Sequence, residues 1–344
     1  MRAAVLHGKQ DVRVEVVDVP LLEPGEVLIR TEVALTCGTD LKVYRRGYHA
    51  RMIVPPALFG HEAAGIIEVV GEGVTDWAPG DRVVAANSAP CGECEFCREH
   101  RPGLCDDLLF WNGAYAQFTR LPARVVRKNL LRIPEGLSFA RAAMVEPLAC
   151  VVRGIEAADL GPGRSVAVIG VGGIGLMFIA LARARGCYVV AAGRRPARLA
   201  MAREMGAAAT VSAEAGGLVS QLLPLSPDER GFHLVVEAAG QAETAEAALR
   251  VVRKGGMVNF FAGCPAGTEI RVDAPRVHYE ELQLTATFHH TPESVRSALA
   301  LIAEGQIDPD RFISTREPLD RLPSLLAEMT KGSDDLKAAV LPWA

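Results

Sequence analysis

The 344-residue chain has no apolar run near the roughly 20 residues that a bilayer-spanning helix needs, which excludes an integral helical membrane protein. Its opening stretch, MRAAVLHGKQDVRVEV, lacks the apolar core of a signal peptide, so the expectation is a cytoplasmic protein with no membrane partner. Basic runs are equally scarce. Lys and Arg never cluster beyond a pair and the formal net charge is −4, which leaves no electrostatic footprint for nucleic acid. No internal repeat or low-complexity segment stands out. Without an export signal, the eight cysteines read as thiols and metal ligands rather than disulfides.

What is present fits a folded enzyme-sized chain. Hydrophobic residues make up 49% and charged residues 23%, enough to bury large apolar faces. Because domains usually hold about 100 to 200 residues, two are expected.

Four cysteines, Cys91, Cys94, Cys97 and Cys105, stand in CGECEFCREHRPGLC with the spacing C-x2-C-x2-C-x7-C. A tight loop of this kind converges four thiolates on one tetrahedral zinc. Four sulfurs close the coordination shell, so the role is structural: the ion pins a lobe, residues 88–108, that is poor in core-forming side chains. The charge balance argues against a zinc finger on DNA, and the compartment argues against a disulfide frame.

Residues 1–35 alternate apolar and polar positions, and AAGIIEVVG, DRVVAA and AYAQFTRLP are further strand-like runs separated by turns such as APGD. This half reads as mostly β. From about Ser165 the rhythm changes. SVAVI, YVVAA, HLVVE and MVNFFA alternate with the helical segments IGLMFIALARARG and ARLAMAREMGA, the pattern of a doubly wound parallel sheet, so the fold class is α/β. After LQLTATF come a helix-like ESVRSALALIAEG and a last strand, LKAAVLPW, that can return to the first domain.

GVGGIG, residues 170–175, lies between SVAVI and an apolar helix, and Gly170, Gly172, Gly173, Ile174 and Gly175 are its candidate cofactor contacts. In that strand–turn–helix context it is a dinucleotide fingerprint. Gly170 makes the turn, Gly172 lets backbone approach the pyrophosphate, and Gly175 permits close packing of helix on strand. An NAD site normally ends its second strand with Asp or Glu. Here Gly193, Arg194 and Arg195 stand instead, and two guanidiniums suit a 2′-phosphate, so NADP(H) is favoured over NAD(H). The alternative is that the two arginines are merely solvated.

Outside the quartet, Cys37 in CGTD, His61 and Glu62 in GHEAAG, and Glu146 in EPLAC form a second candidate set. Each alone would read as structural. Together, a sulfur, an imidazole and one or two carboxylates can hold zinc while leaving an open position for water or substrate.

The combination CGTD, GHE, four-cysteine lobe, EPL and GVGGIG, in this order along essentially the whole chain, resembles the zinc-dependent medium-chain dehydrogenases, the alcohol, sorbitol and threonine dehydrogenase superfamily. The resemblance implies a GroES-like β-rich catalytic domain, residues 1–150 and 289–344, around an inserted Rossmann domain, residues 151–288, with the active site between them. It also implies a homo-oligomer, dimer or tetramer. Carried over by position, Cys37 and His61 match the catalytic zinc ligands, and Glu62 and Glu146 match the carboxylates that ligate the metal or hold its water. With Glu146 where alcohol dehydrogenases have a second Cys, the set is harder and leans toward the polyol and threonine branch. Asp40 would orient a ligand. Two zinc ions per chain follow.

The reaction so implied is hydride transfer between an alcohol or ketone and the nicotinamide, zinc lowering the hydroxyl pKa. Thr39 would accept the alcohol proton, unless it only caps a turn. Many relatives carry His where Lys42 stands, and a lysine of ordinary pKa near 10.4 is a poor proton shuttle at pH 7. His289 and His290 in FHHTP can bond polyol or sugar hydroxyls or sit as a surface pair, and Trp111 is either a pocket wall or a core residue. A threonine-type amino alcohol or a simple secondary alcohol is the alternative substrate. A catalytically silent zinc-binding relative is the alternative from another class, and a zinc-free quinone-reductase-like relative is disfavoured by the retained ligand set.

Overall fold

The computed structural model describes residues 1–49, 51–213 and 217–344. By its internal contacts the chain divides into two units, Met1–Ala149 with His290–Ala344, and Cys150–His289.

The first unit is built around a sheet in which Leu130–Arg132, Arg82–Ala85, Ala63–Val70, Val27–Leu35, Lys337–Leu341 and Ile313–Pro318 lie side by side, with Phe118–Leu121 also paired to Val27–Leu35. Arg2–Gly8 pairs antiparallel with Asp11–Val16 and with Ala57–Leu58 in a smaller sheet. The apolar faces enclose a core that includes Leu6, Ile29, Phe59, Ile67, Tyr115 and Leu121. The last strand does return: Ala339 and Val340 face Leu35 and Ala34 across an antiparallel ladder. That pairing carries Lys337 to the end of Val27–Leu35, where the functional segments begin.

The unit is less purely β than its alternation suggests. CGTD opens a helix, Gly38–Arg46, because Cys37 and Asp40 form a capping box, the Asp40 carboxylate taking the Cys37 amide at 2.9 Å. Gly47 closes that helix at φ 90°, and a Cβ there would lie 2.6 Å from the Lys9 amide nitrogen, so only glycine fits. EPLAC lies in the first turn of a further helix, Val145–Glu156.

In the second unit six parallel strands stand in the order Ala209–Ser212, Tyr188–Gly193, Ser165–Ile169, Phe232–Glu237, Val252–Phe260 and Gln283–Ala286. Numbered along the chain from Ser165, that order is 3-2-1-4-5-6, the Rossmann arrangement. Ligands in such sheets sit beyond the strand ends where the order reverses, here between Ser165–Ile169 and Phe232–Glu237. Among the described residues no helix is long and apolar enough to cross a membrane.

Candidate active site and metal centres

In the first unit, ligand atoms of Cys37, His61 and Glu62 lie within 4.8 Å of one another. His61 and Glu62 are buried at the start of Ala63–Val70, and Cys37 follows Val27–Leu35, so two adjacent strands deliver the three groups. The Asp40 carboxylate organises them. Its Oδ1 lies 3.1 Å from His61 Nδ1, and its Oδ2 accepts from the Cys37 amide at 2.9 Å and the Tyr115 hydroxyl at 2.6 Å. With Nδ1–H donated to Asp40, the imidazole presents Nε2 as a lone-pair donor, the arrangement found behind metal-bound histidines. Burial opposes charge on His61, yet the Asp40 carboxylate and the Cys37 sulfur more than offset it and lift its pKa well above the usual value.

Tyr115 is one of three residues the sequence reading missed here. It is fully buried, and Gly60, next to His61 and at φ 90°, leaves room for its ring: a Cβ on Gly60 would sit 2.5 Å from Tyr115 Cδ2. Lys337 is the second. Its ammonium reaches both Glu62 oxygens at 2.7 and 2.6 Å and the Thr36 carbonyl at 2.9 Å, a wholly buried ion pair. A lysine inside the apolar run LKAAVL was the one signal available, since buried charge is rare unless partnered. The third is Asn87, buried, whose Oδ1 lies 3.0 Å from His290 Nε2.

Glu146 lies beside this group, buried, with Oε1 3.9 Å from His290 Nε2. Burial first, then the charge on Glu62, pushes its pKa up from the usual 4.5 to about 7, against the pull of His61 and Lys337. A carboxyl whose folded pKa exceeds its unfolded value binds more protons when folded, so its contribution to stability falls as pH rises between those values. In metal-depleted protein the thermal midpoint of wild type should therefore drop relative to Glu146→Gln as pH rises from 4.5 to about 7, then level off. Parallel pH curves for the two proteins would show an ordinary carboxyl.

Thr39 is half-exposed and its amide donates to Cys37 Sγ at 3.4 Å. Lys42 is exposed. Trp111 is packed in the core, 4% exposed, with its indole N–H on the Ala86 carbonyl at 2.9 Å, the second of the two positions its sequence allowed. His290 is buried, whereas His289 is half-buried and stacks on Phe288 with ring centroids 5.6 Å apart.

The cysteine quartet gathers as one group with all four sulfurs within 4.8 Å. Backbone amides point at the sulfurs: Glu93 and Cys94 donate to Cys91 at 3.4 and 3.3 Å, Gly92 to Cys97 at 3.4 Å, and Cys91 to Cys105 at 3.2 Å. The Glu93 and Cys94 amides bring the Cys91 thiol down to about 6, while burial pushes Cys105 up to about 12. Four convergent sulfurs with amide donors match what a tetrahedral zinc requires.

In the second unit Gly170 turns at φ 111° and packs on the backbone of Ala238, where a Cβ would meet the carbonyl carbon at 2.7 Å. Gly175 lies so close to Gly170 that a Cβ would fall 1.8 Å from its carbonyl oxygen. Gly172 and Gly173, at the N-terminus of Gly173–Ala184, face open space. Ile174 is half-buried in the same turn. Open backbone at a helix N-terminus, beyond the carboxyl end of the first strand, fits a pyrophosphate. Glu237 braces the facing loop, its Oε1 accepting from the Ala239 and Gly240 amides at 2.9 Å each and from the Thr244 hydroxyl at 2.7 Å. Arg194 and Arg195 are exposed after Gly193, and a third arginine, Arg198, is buried one turn on.

A Rossmann unit together with a β-rich unit carrying a Cys–His–Glu cluster defines the class of NAD(P)-linked oxidoreductases that act on alcohols with zinc. Residues 23–135 match the alcohol dehydrogenase GroES-like domain and residues 173–304 the zinc-binding dehydrogenase family. The chain is 29% identical to sorbitol dehydrogenase of Bacillus subtilis, covering 99% of this chain and 97% of that one. With D-altritol 5-dehydrogenase of Agrobacterium fabrum it shares 32% identity over 88% of each chain. A zinc-binding dehydrogenase from Sinorhizobium meliloti, solved with NADP, superposes with a TM-score of 0.91 at 31% identity over 99% of both chains. The chain belongs to the zinc-dependent medium-chain dehydrogenase family, in its polyol branch.

Proposed function

We propose that this chain oxidises polyols or sugar-derived secondary alcohols, and reduces the matching ketones, with NADP(H) preferred over NAD(H) and two zinc ions per chain. The observation that carries the reading is the gathering of Cys37, His61 and Glu62 around Asp40. Relatives named for sorbitol and altritol support the substrate class, and the NADP-bound neighbour supports the coenzyme.

Cys37, His61 and Glu62 would hold the catalytic ion, with Glu146 beside them, and the cysteine quartet the structural one. When bound, zinc supplies Lewis acidity that makes an alcohol hydroxyl acidic near neutral pH, and the nicotinamide takes up or gives the hydride. Asp40 fixes the His61 ring so that Nε2 is the ligand atom. Lys337 neutralises Glu62, which limits the negative charge that Cys37, Glu62, Glu146 and Asp40 concentrate in one buried place. Thr39 takes the alcohol proton at its hydroxyl. The amides at Gly172 and Gly173 receive the pyrophosphate, and Arg194 and Arg195 the 2′-phosphate. A cytoplasmic homo-oligomer completes the proposal: the edge strand Gln283–Ala286 is mostly exposed and nearby Tyr279 is 81% exposed, a surface that a second copy would cover.

A panel of sorbitol, xylitol and threonine with NAD and NADP, and of simple ketones with NADH and NADPH, tests the assignment. Polyol turnover with a clear NADP preference is expected, and threonine or simple-alcohol preference defeats the substrate class. Metal analysis should give two zinc ions per chain, falling to one in Cys97→Ser. One ion in wild type would point to the silent alternative.

A further inference from the structure

We propose that the stretch joining Cys37 to His61 receives an anionic group on the alcohol substrate, a phosphate or a carboxylate, through Lys42, Arg46 and Arg51. The inference rests on the polyol reading above and narrows its substrate class.

Residues 41–61 contain Lys42, Arg45, Arg46 and Arg51 and neither Asp nor Glu, in a chain whose formal net charge is −4. The stretch leaves through the helix capped by Cys37 and returns at His61, so both of its ends stand on the cluster whose ligand atoms lie within 4.8 Å of one another. Packing fixes its course. Val43 and Tyr44 are buried beneath the helix, the Asn112 amide group donates to the Met52 carbonyl at 2.6 Å, and the His49 amide donates to the Ile53 carbonyl at 2.9 Å.

Elsewhere in the chain, exposed arginines meet acids: Arg13, Arg124, Arg141 and Arg164 each have an aspartate oxygen at 2.6–2.8 Å. Arg45 donates to the Thr330 carbonyl. Lys42, Arg46 and Arg51 are exposed and make no side-chain hydrogen bond or ion pair among the described residues. They gather around one ring. Burial first, then the charges of Arg46, His61, Arg51 and Lys42, hold the His49 imidazole below its usual pKa, so these cations lie close to His49 and His49 lies close to the metal centre. His49 Nδ1 accepts from the Arg51 amide at 3.3 Å, which leaves its Nε2–H to donate.

Unneutralised like charges repel, and an anion set among them relieves that repulsion. The forked guanidinium matches phosphate and carboxylate alike. The coenzyme phosphates are assigned above to Gly172, Gly173, Arg194 and Arg195. The anion left for this stretch is the substrate's, whose reacting hydroxyl belongs at the cluster where the stretch begins and ends.

Wild type and Arg46→Met/Arg51→Met, measured with sorbitol, sorbitol 6-phosphate and gluconate, decide it. Wild type should favour at least one anionic substrate over sorbitol by about tenfold or more in kcat/KM, the size of one hydrogen bond to a charged group. The variant should cut that anion-to-neutral ratio by about tenfold or more, with no comparable rise in the KM of the coenzyme. Sorbitol 6-phosphate ahead of gluconate identifies a phosphate ester, and the reverse order a sugar acid. A ratio near one in wild type, or a ratio that the variant leaves intact, overturns the inference while the polyol reading stands. A coenzyme KM that rises equally with all three substrates assigns the cations to the coenzyme and overturns it too. If none of the three is turned over, the polyol reading fails, and calorimetric titration of both proteins with sorbitol 6-phosphate and gluconate judges the inference: tighter binding to wild type supports it, and equal binding overturns it.

Discussion

Lys337→Met is expected to lower the unfolding free energy by about 3–5 kcal/mol, the cost of leaving a buried carboxylate without its partner. The expectation follows from geometry. Both Glu62 oxygens accept from the one ammonium, at 2.7 and 2.6 Å, and Glu62 has no exposure to water that could replace it. Without Lys337, Glu62 either stays charged and uncompensated or takes up a proton and weakens as a metal ligand. The double variant Glu62→Gln/Lys337→Met removes both charges and should regain most of the stability, since neutral replacement of a whole buried pair is often tolerated. Urea unfolding of the three proteins measures this. A single variant within about 0.5 kcal/mol of wild type, the range of an ordinary surface change, would mean that the pair is not buried in solution.

Asp40→Asn should weaken zinc at the Cys37–His61–Glu62 centre by about 10- to 100-fold, the usual cost of losing the partner behind a ligating histidine. Asparagine keeps the shape but loses the charge that His61 Nδ1–H, the Cys37 amide and the Tyr115 hydroxyl all address. Chelator competition followed by metal analysis reads the affinity directly, and the cysteine quartet serves as an internal control because Asp40 touches none of it. Tyr115→Phe should act in the same direction but less, since the Cys37 amide still holds the same oxygen. If Asp40→Asn keeps wild-type affinity, Asp40 does not orient His61.

The parts of this molecule that were legible in the sequence are those written in short stretches. GVGGIG between a strand and a helix, the cysteine quartet within fifteen residues, and apolar runs such as SVAVI and HLVVE each contain their own context. Shorter or mixed elements were harder. Ala209–Ser212 is only four residues long and lacks a continuous apolar run, and Gly38–Arg46 is a short helix whose buried apolar residues, Val43 and Tyr44, are too few to make a periodic pattern. The supporting residues of the site were hidden for a different reason. Lys337 meets Glu62 across 275 residues, His290 meets Asn87 across 203, and Tyr115 meets Asp40 across 75, and local pattern carries no information at such separations. Trp111 shows a different limit: an aromatic side chain suits a pocket wall and a core equally, and only the long-range bond of its indole N–H to a backbone carbonyl reveals the core position.

The ladder between Lys337–Leu341 and Val27–Leu35 also bears on how the protein is made. A ribosome delivers Cys37, His61 and Glu62 long before Lys337, and until then water solvates the Glu62 carboxylate. The step that withdraws Glu62 from water must therefore bring Lys337 with it, which ties the interior of the site to segments made far apart in time.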